Sequence, residues 1–495
     1  MPRQLFMKVL NHRLSGTDAA FLYLERKEIP LHIACVTVFD GEIPFDEFVA
    51  NIDSKLHLIP RYRQIAVAPP YNLGYPTWEP DPQFDIARHI FRVQIEPPGG
   101  EAQLEALSGR ILSQVMDRDK PLWDIHIVDG LQDGRGALIA RVHHALADGV
   151  SGAALLKIML DPTPEGSRAI HKPRTSEPSP APAPANHSLV DALASAVHSS
   201  LENLIQAEAG LLNLTHSLFT DRTQNGLQEL LGLWPELAAP VQRLPFNRLC
   251  DGERLFCWAG VDFADVQAIR AAAGGKVNDV LLTVVTRAVA SYAKLHGQSV
   301  DKRFLRVVCP VSIRREDQGE SLGNRITFLP VVLPMDVRDP VRLLREVSAR
   351  TEIMKSARAA ELVAIAASWL GSVPPPLQAA FWGGIPFLTL PVSLFNVICT
   401  NVPGSPVPLY SVGRRMLASY PQVPTGWELG VGIAAQSYDG KLFFGLTADQ
   451  HAAPDVARLR DFIKVSFEEL CHAAGLRKAR RTRKPRQPEP MPVSV

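Results

Sequence analysis

Residues 141–152 read RVHHALADGVSG, and here the chain carries the residue types best suited to chemistry. His143 and His144 are adjacent, and the Asp148-Gly149 pair follows a few residues later. Two His, an Asp and a Gly at fixed offsets arise by chance in about one chain in a thousand of this length, at average residue frequencies. An imidazole titrates near neutrality, so it can take the proton of a hydroxyl as that oxygen attacks a carbonyl. Adjacent residues at a strand end point to opposite sides, so one of the two histidines faces a substrate. A metal site would need more ligands: HExxH is absent, no third ligand is evident, and the six cysteines are scattered without CxxC pairs. The purely structural alternative has both histidines hydrogen-bonded at a domain interface.

Other reaction centres are missing. There is no GxSxG elbow and no Walker A sequence, and the glycine-rich GVGIAA of residues 430–435 falls within a strand rather than ahead of a helix. Without nucleotide or metal motifs, the energy for a synthetic reaction must arrive with the substrate, as it does in a thioester.

The elements around the motif give it a rigid support. GALIARVHH reads as a strand after the turn QDGRG, and SGAALLKIML as a helix with Ser151 as N-cap. The histidines therefore stand at a strand end, in a loop that Gly149 and Gly152 leave free to turn. LHIACVTVF (31–39) is a second strand, followed by the helical DEFVANIDSKLHLI. Residues 162–187 are rich in Pro, Ala and Ser and read as a flexible linker. The amphipathic SLVDALASAVHSSLENLIQ comes next as one helix. Strands RLFCWAGVDF and RFLRVVCPVSI then flank the helix VNDVLLTVVTRAVASYAKL. ELGVGIAAQSYDGKLFFGLTAD reads as two alternating strands joined at Tyr438-Asp439-Gly440. The fold class is α/β (α+β), with an N-terminal half at 1–161, the linker at 162–187, a C-terminal half at 188–475 and a basic tail at 476–495.

The bulk numbers fit this division. A chain of 495 residues, 46% hydrophobic and 21% charged, is a folded protein of about two domains. Its net charge of +1 gives no electrostatic footprint for nucleic acid. The apolar stretch 362–400 is interrupted by Pro374, Pro375, Pro376, Pro386 and Pro391, short of the ~20 residues that span a bilayer. The N-terminus lacks the apolar core of a signal peptide, and the cysteine usage suits a reducing cytoplasm.

HHALADG resembles the HHxxxDG motif of the CoA-dependent acyltransferase superfamily. The wider sequence resembles the bacterial wax ester synthase/diacylglycerol acyltransferase family, through SGTDAAFLYLE (15–25), PLWD (121–124), VNDVLL (277–282), CPVSIR with LGNRI (309–326), TNVPGS (400–405) and SYDGKLFFGLTAD (437–449). These stretches keep the family's order and leave only the linker and the basic tail outside. The resemblance implies two chloramphenicol-acetyltransferase-like halves with the active-site channel between them. It implies His144 as general base, His143 in support, and Asp148 in a structural role that holds the loop, with Gly149 allowing its turn. Asn278, beside Asp279, would orient the acceptor or stabilise an oxyanion; read alone, it is equally a helix N-cap. Pro121 and Trp123 would shape the motif's surroundings. Asp124 stands where Glu is common, with little consequence expected.

The implied reaction moves a long-chain acyl group from acyl-CoA, a co-substrate rather than a resident cofactor, to diacylglycerol, giving triacylglycerol. Long-chain alcohols, giving wax esters, are the close alternative; a condensation-type acyltransferase and a silent lipid-binding protein are further ones. The expected setting is cytoplasmic, as a monomer in peripheral contact with an anionic membrane or lipid droplet. In the tail, RKARRTRKPR (477–486) has Lys or Arg at seven of ten positions, enough for reversible docking on anionic lipid. Removing residues 477–495 is expected to weaken binding to anionic liposomes at low salt while sparing transfer to a detergent-dispersed acceptor. Sedimentation with the liposomes measures this, and unchanged binding would make the tail a solvated end.

Overall fold

The computed structural model describes residues 13–146, 156, 158–166, 221–312, 326–363, 373–384 and 395–476. Asp148, Gly149, Ser151, most of the linker, the SLVDALASAVHSSLENLIQ stretch and the basic tail lie outside them. The described strands form two six-stranded sheets and a two-stranded ribbon. In the first sheet, β1 (His32–Phe39), β4 (Ile90–Gln94), β5 (Trp123–Asp129) and β6 (Gly136–His143) join β11 (Tyr410–Ser411) and β12 (Arg414–Gln422), in the order β11-β12-β1-β6-β5-β4. In the second, β7 (Arg254–Asp262), β8 (Phe304–Ser312), β9 (Ile326–Pro334), β10 (Val397–Val402), β13 (Val431–Tyr438) and β14 (Lys441–Asp449) run β7-β14-β13-β10-β8-β9. The ribbon pairs β2 (Gln64–Val67) with β3 (Thr77–Pro80).

β5 and β6 are buried along their whole length, so both faces of the first sheet are covered. Alternate residues go to different cores. Trp123, Ile125 and Ile127 pack on one side with Leu138 and Ala140, while Val128 and Ile139 pack on the other with Leu107, Phe256 and Trp258. The second sheet packs on the helix Val277–Leu295, in which thirteen of nineteen residues are buried. Thr283 and Thr286 sit in that core because their hydroxyls donate back to the carbonyls of Asp279 and Leu282, each at 2.7 Å. β13 and β14 turn through Asp439 and Gly440, both at positive φ, as the hairpin signal required. The alternation expected along them is replaced by nearly continuous burial, because the hairpin lies inside the sheet and is covered on both faces.

β12 comes from near the end of the chain, yet it pairs antiparallel with β1, from Ala34 with Gln422 to Phe39 with Met416. To reach β1 it crosses the second sheet at close range. A Cβ on Gly445 would stand 1.9 Å from the Pro421 carbonyl oxygen, and one on Gly432 would lie 2.9 Å from the Thr425 methyl. Only glycine permits that approach. Arg254 fastens the crossing: its guanidinium pairs with Asp449 and donates to the carbonyls of Glu28 at 2.9 Å and Thr425 at 3.0 Å. Gly445→Val is therefore expected to destabilise the protein by about 3 kcal/mol or more through overpacking. Gly232→Ala, where a Cβ meets nothing within 4 Å, serves as the neutral control in the same urea titration.

Candidate active site

β6 ends at His143, and the chain turns at once. The His143 amide donates to the Leu122 carbonyl at 2.9 Å, and the His144 amide to the Leu31 carbonyl at 2.8 Å. The histidines are thus clamped between the segment that contains Pro121 and Trp123 and the segment that leads into β1. Pro121 is buried, and Trp123 starts β5 opposite Val142, donates its indole N–H to the Tyr62 carbonyl at 2.8 Å and stacks on His89.

The two histidines differ in environment. His143 is wholly buried: Nδ1 accepts from the Ala145 amide at 3.0 Å, and Nε2 faces Glu25 Oε1 at 3.2 Å without hydrogen-bond geometry. That arrangement puts the proton on Nε2 and leaves His143 no free lone pair. His144 is partly exposed, and its ring stacks on Phe21 with centroids 3.9 Å apart. Its Nδ1 is buried without a hydrogen-bond partner. Burial, and then the neighbouring His143, push its pKa down to about 4, against an opposing pull from its own backbone carbonyl. At neutral pH His144 is therefore an uncharged base.

Glu25 closes the helix Gly16–Leu24 and also receives the Leu31 amide at 3.1 Å, while Arg118 lies 3.3 Å from its second oxygen. Burial alone would raise this carboxyl, but His143, the Leu31 amide and Arg118 hold it down at about 2. Sequence reasoning placed Glu25 only at the end of SGTDAAFLYLE. A lone carboxylate closing an apolar helix was the available signal, and its partner lies more than a hundred residues away.

A second buried group adjoins the first. Asp124 grips Arg141 with both oxygens, at 2.8 and 2.6 Å, and has His126 Nε2 at 3.2 Å. The shorter side chain at this position, expected to matter little, thus anchors the only ion pair that directly bridges β5 and β6 among the described residues. His32 sits directly across from His143 in the sheet, fully buried, with neither nitrogen hydrogen-bonded. Burial, and next the charge of Arg141, lower its pKa to about 3.

Asn278 belongs to the other sheet's layer. It is the second residue of the Val277–Leu295 helix, and Lys276 is the N-cap, so the N-cap reading of Asn278 is excluded. Its neighbour Asp279 performs the end-binding: one oxygen accepts the Lys276 amide at 2.8 Å and the other the Thr351 hydroxyl at 2.8 Å. Asp279 thereby fixes the start of this helix against the helix Pro340–Ser356, and Asn278 is left half-buried beside it.

The wax ester synthase/diacylglycerol acyltransferase catalytic domain matches residues 14–281, and the C-terminal domain of the same family matches residues 322–471. The chain belongs to the wax ester synthase/diacylglycerol acyltransferase family. Among its relatives are two probable diacylglycerol O-acyltransferases of Mycobacterium tuberculosis. One, tgs1, is 27% identical over 96% of this chain and 98% of its own. The other, tgs2, is 29% identical over 93% and 98%. The solved wax ester synthase/diacylglycerol acyltransferase of Marinobacter aquaeolei VT8 is 23% identical, covers 94% of this chain and 100% of its own, and superposes with a TM-score of 0.62. The first condensation domain of the calcium-dependent antibiotic synthetase shares the fold at 14% identity, covering 94% and 97%, with a TM-score of 0.55. The two-halved acyltransferase fold is thereby established.

The buried groups set a pH dependence of stability. His32 and His89, lowered to about 3 and about 4 chiefly by burial, are neutral when folded, whereas unfolded histidine takes up a proton near 6.5. Their contribution is intact above that value and is lost as pH falls toward 4, by about 1.4 kcal/mol per pH unit for each histidine. Glu25 adds to the loss below 4.5. Urea unfolding at pH 7, 6, 5 and 4 is expected to show this decline. Glu25→Ala, which strands His143 and the Leu31 amide, is expected to cost about 3 kcal/mol at pH 7.

Proposed function

We propose that this protein is an acyl-CoA:diacylglycerol O-acyltransferase that forms triacylglycerol with His144 as general base. The observation that carries the reading is the contrast between the two histidines, in a chain of this family. His143 is wholly buried, with Nδ1 accepting from the Ala145 amide and Nε2 turned to Glu25, whereas His144 is neutral, partly exposed and flat against Phe21. His144 takes the proton of the acceptor hydroxyl as its oxygen attacks the thioester carbonyl. The tetrahedral intermediate collapses with cleavage of the C–S bond, and the departing CoA thiolate takes the proton back from His144. Both substrates meet directly, so no acyl-enzyme is needed. Glu25 and His143 act by holding the turn on which His144 stands. Asp148 holds the same loop, and Asn278, on the second half, orients the acceptor or the developing oxyanion.

The relatives tgs1 and tgs2 are named for diacylglycerol, and the family's name carries wax ester synthesis as well, so long-chain alcohols are the alternative acceptor. Among the described residues no helix is long and apolar enough to cross a membrane. We infer that the protein meets its lipid acceptor by peripheral contact with a membrane or lipid droplet, since diacylglycerol and long-chain alcohols reside there.

Transfer of radiolabelled palmitoyl groups from palmitoyl-CoA to diacylglycerol, with hexadecanol in parallel, tests the reading. His144→Ala is expected to lower the rate by about 10²–10⁴-fold with an unchanged melting temperature, the scale of a lost general base. His143→Ala is expected to lower the melting temperature as well, because it strands Glu25. With the His144 pKa near 4, kcat/KM is expected to stay flat from pH 8 to pH 5 and to fall only below that. An acid limb near 6.5 would assign the proton to another group.

A further inference from the structure

A cavity of about 370 Å³ lies against the first helix, on the Glu25 side of the histidine pair. Its walls are apolar, formed by Leu22, Ala66, Pro76 and Leu122, and its polar groups are Tyr23, Asn72, Glu25 and Arg118. The Tyr23 hydroxyl is buried and has no hydrogen-bond partner. Burial, and then the nearby Tyr75, raise its pKa to about 12, so it is a protonated donor at any physiological pH. Arg118 spends one nitrogen on the Leu22 carbonyl, at 2.7 Å, and on Glu25. Its side chain is otherwise partly exposed.

We propose that this cavity binds the glycerol-ester part of the acceptor and gives the enzyme its preference for diacylglycerol over simple long-chain alcohols. The proposal rests on the functional reading above and specifies its substrate. An alkanol offers one oxygen, which the reaction itself uses, and would leave the buried Tyr23 hydroxyl unpaired. A glyceride brings ester oxygens that accept from Tyr23, Asn72 and Arg118. A free carboxylate fits less well, because Glu25 already neutralises Arg118 and would repel a second anion. The cavity is too small for two long acyl chains, so it takes the polar middle of the molecule while the chains leave by the rim.

The rim suits them. Next to the cavity residue Asn72, Tyr71 is 87% exposed at positive φ in the turn that ends at Asn72. The helix Pro375–Gly384 packs on both this turn and the first helix, and presents Leu377 and Phe381 to solvent, 60% and 48% exposed. Gln378 of the same helix holds Tyr75 through a 2.5 Å hydrogen bond. On the first helix Leu22 lines the cavity, and its neighbour Phe21 carries the His144 ring on another face.

The test compares kcat/KM for dioctanoylglycerol and for hexadecanol in the full-length protein, with palmitoyl-CoA as donor. Tyr23→Phe, which removes only the hydroxyl, is expected to lower the dioctanoylglycerol-to-hexadecanol ratio about fivefold to tenfold, the scale of one hydrogen bond. Ala66→Leu, which fills the cavity, is expected to lower the same ratio further and to weaken dioctanoylglycerol binding measured calorimetrically without acyl-CoA. A ratio unchanged in both variants, or parallel losses with both acceptors, would overturn the proposal. A wild-type protein that esterifies hexadecanol but no diacylglycerol would instead overturn the functional reading itself.

Discussion

The pairing of β12 with β1 is the constraint on which the remaining structure depends. Two strands from the last fifth of the chain, β12 and the short β11 beside it, complete a sheet whose other four strands come from the first 143 residues, and β12 reaches β1 by lying across the second sheet. The early and late parts of the chain are therefore joined by backbone hydrogen bonds within the first sheet, while the two sheets meet through packing. Gly432 and Gly445 make room for the crossing, and the Arg254–Asp449 pair locks it. A buried ion pair of this kind contributes little net stability but sets one arrangement apart from its alternatives. Because β1 also pairs with β6, the position of the histidine turn follows from the same crossing.

At the site, two buried polar clusters share one face of the first sheet. Asp124 with Arg141 and Glu25 with His143 each satisfy charges that would be costly alone. Their effect is to fix the turn while leaving one imidazole uncommitted. That imidazole lies flat on Phe21, and burial, with the neighbouring His143, lowers its affinity for a proton and favours the neutral form. The environment thus sorts two chemically identical side chains into a support and a base.

Much of this was legible in the sequence, and what was hidden has common physical causes. The strand that ends in His143 and His144, the helix from Val277 and the turn at Asp439-Gly440 are local patterns, readable from periodicity and turn chemistry. Glu25 was not, because a buried carboxylate is recognised by a partner that sequence distance conceals. The helix start at Asn278-Asp279 left two readings of Asn278 open because Asn and Asp both bind helix ends, and the Lys276 amide and Thr351 hydroxyl contacts show that Asp279 is the one bound. The β12 crossing left a faint trace in glycines placed inside strands, a pattern that also fits a bulge. The cavity left none, since its walls are ordinary Leu, Ala and Pro residues drawn from separate segments.

The shared strand also has a consequence for biosynthesis. β1 leaves the ribosome early, but its partner along one edge is not made until residue 422 has been added. At roughly 5–20 residues per second, that edge stays unpaired for some tens of seconds. An open edge of apolar β-branched residues such as Val36 and Val38 is a template for the wrong strand. The nascent chain therefore carries an open strand border through most of its synthesis, and cutting the gene between the two sheets would leave the first half with that border permanently adhesive.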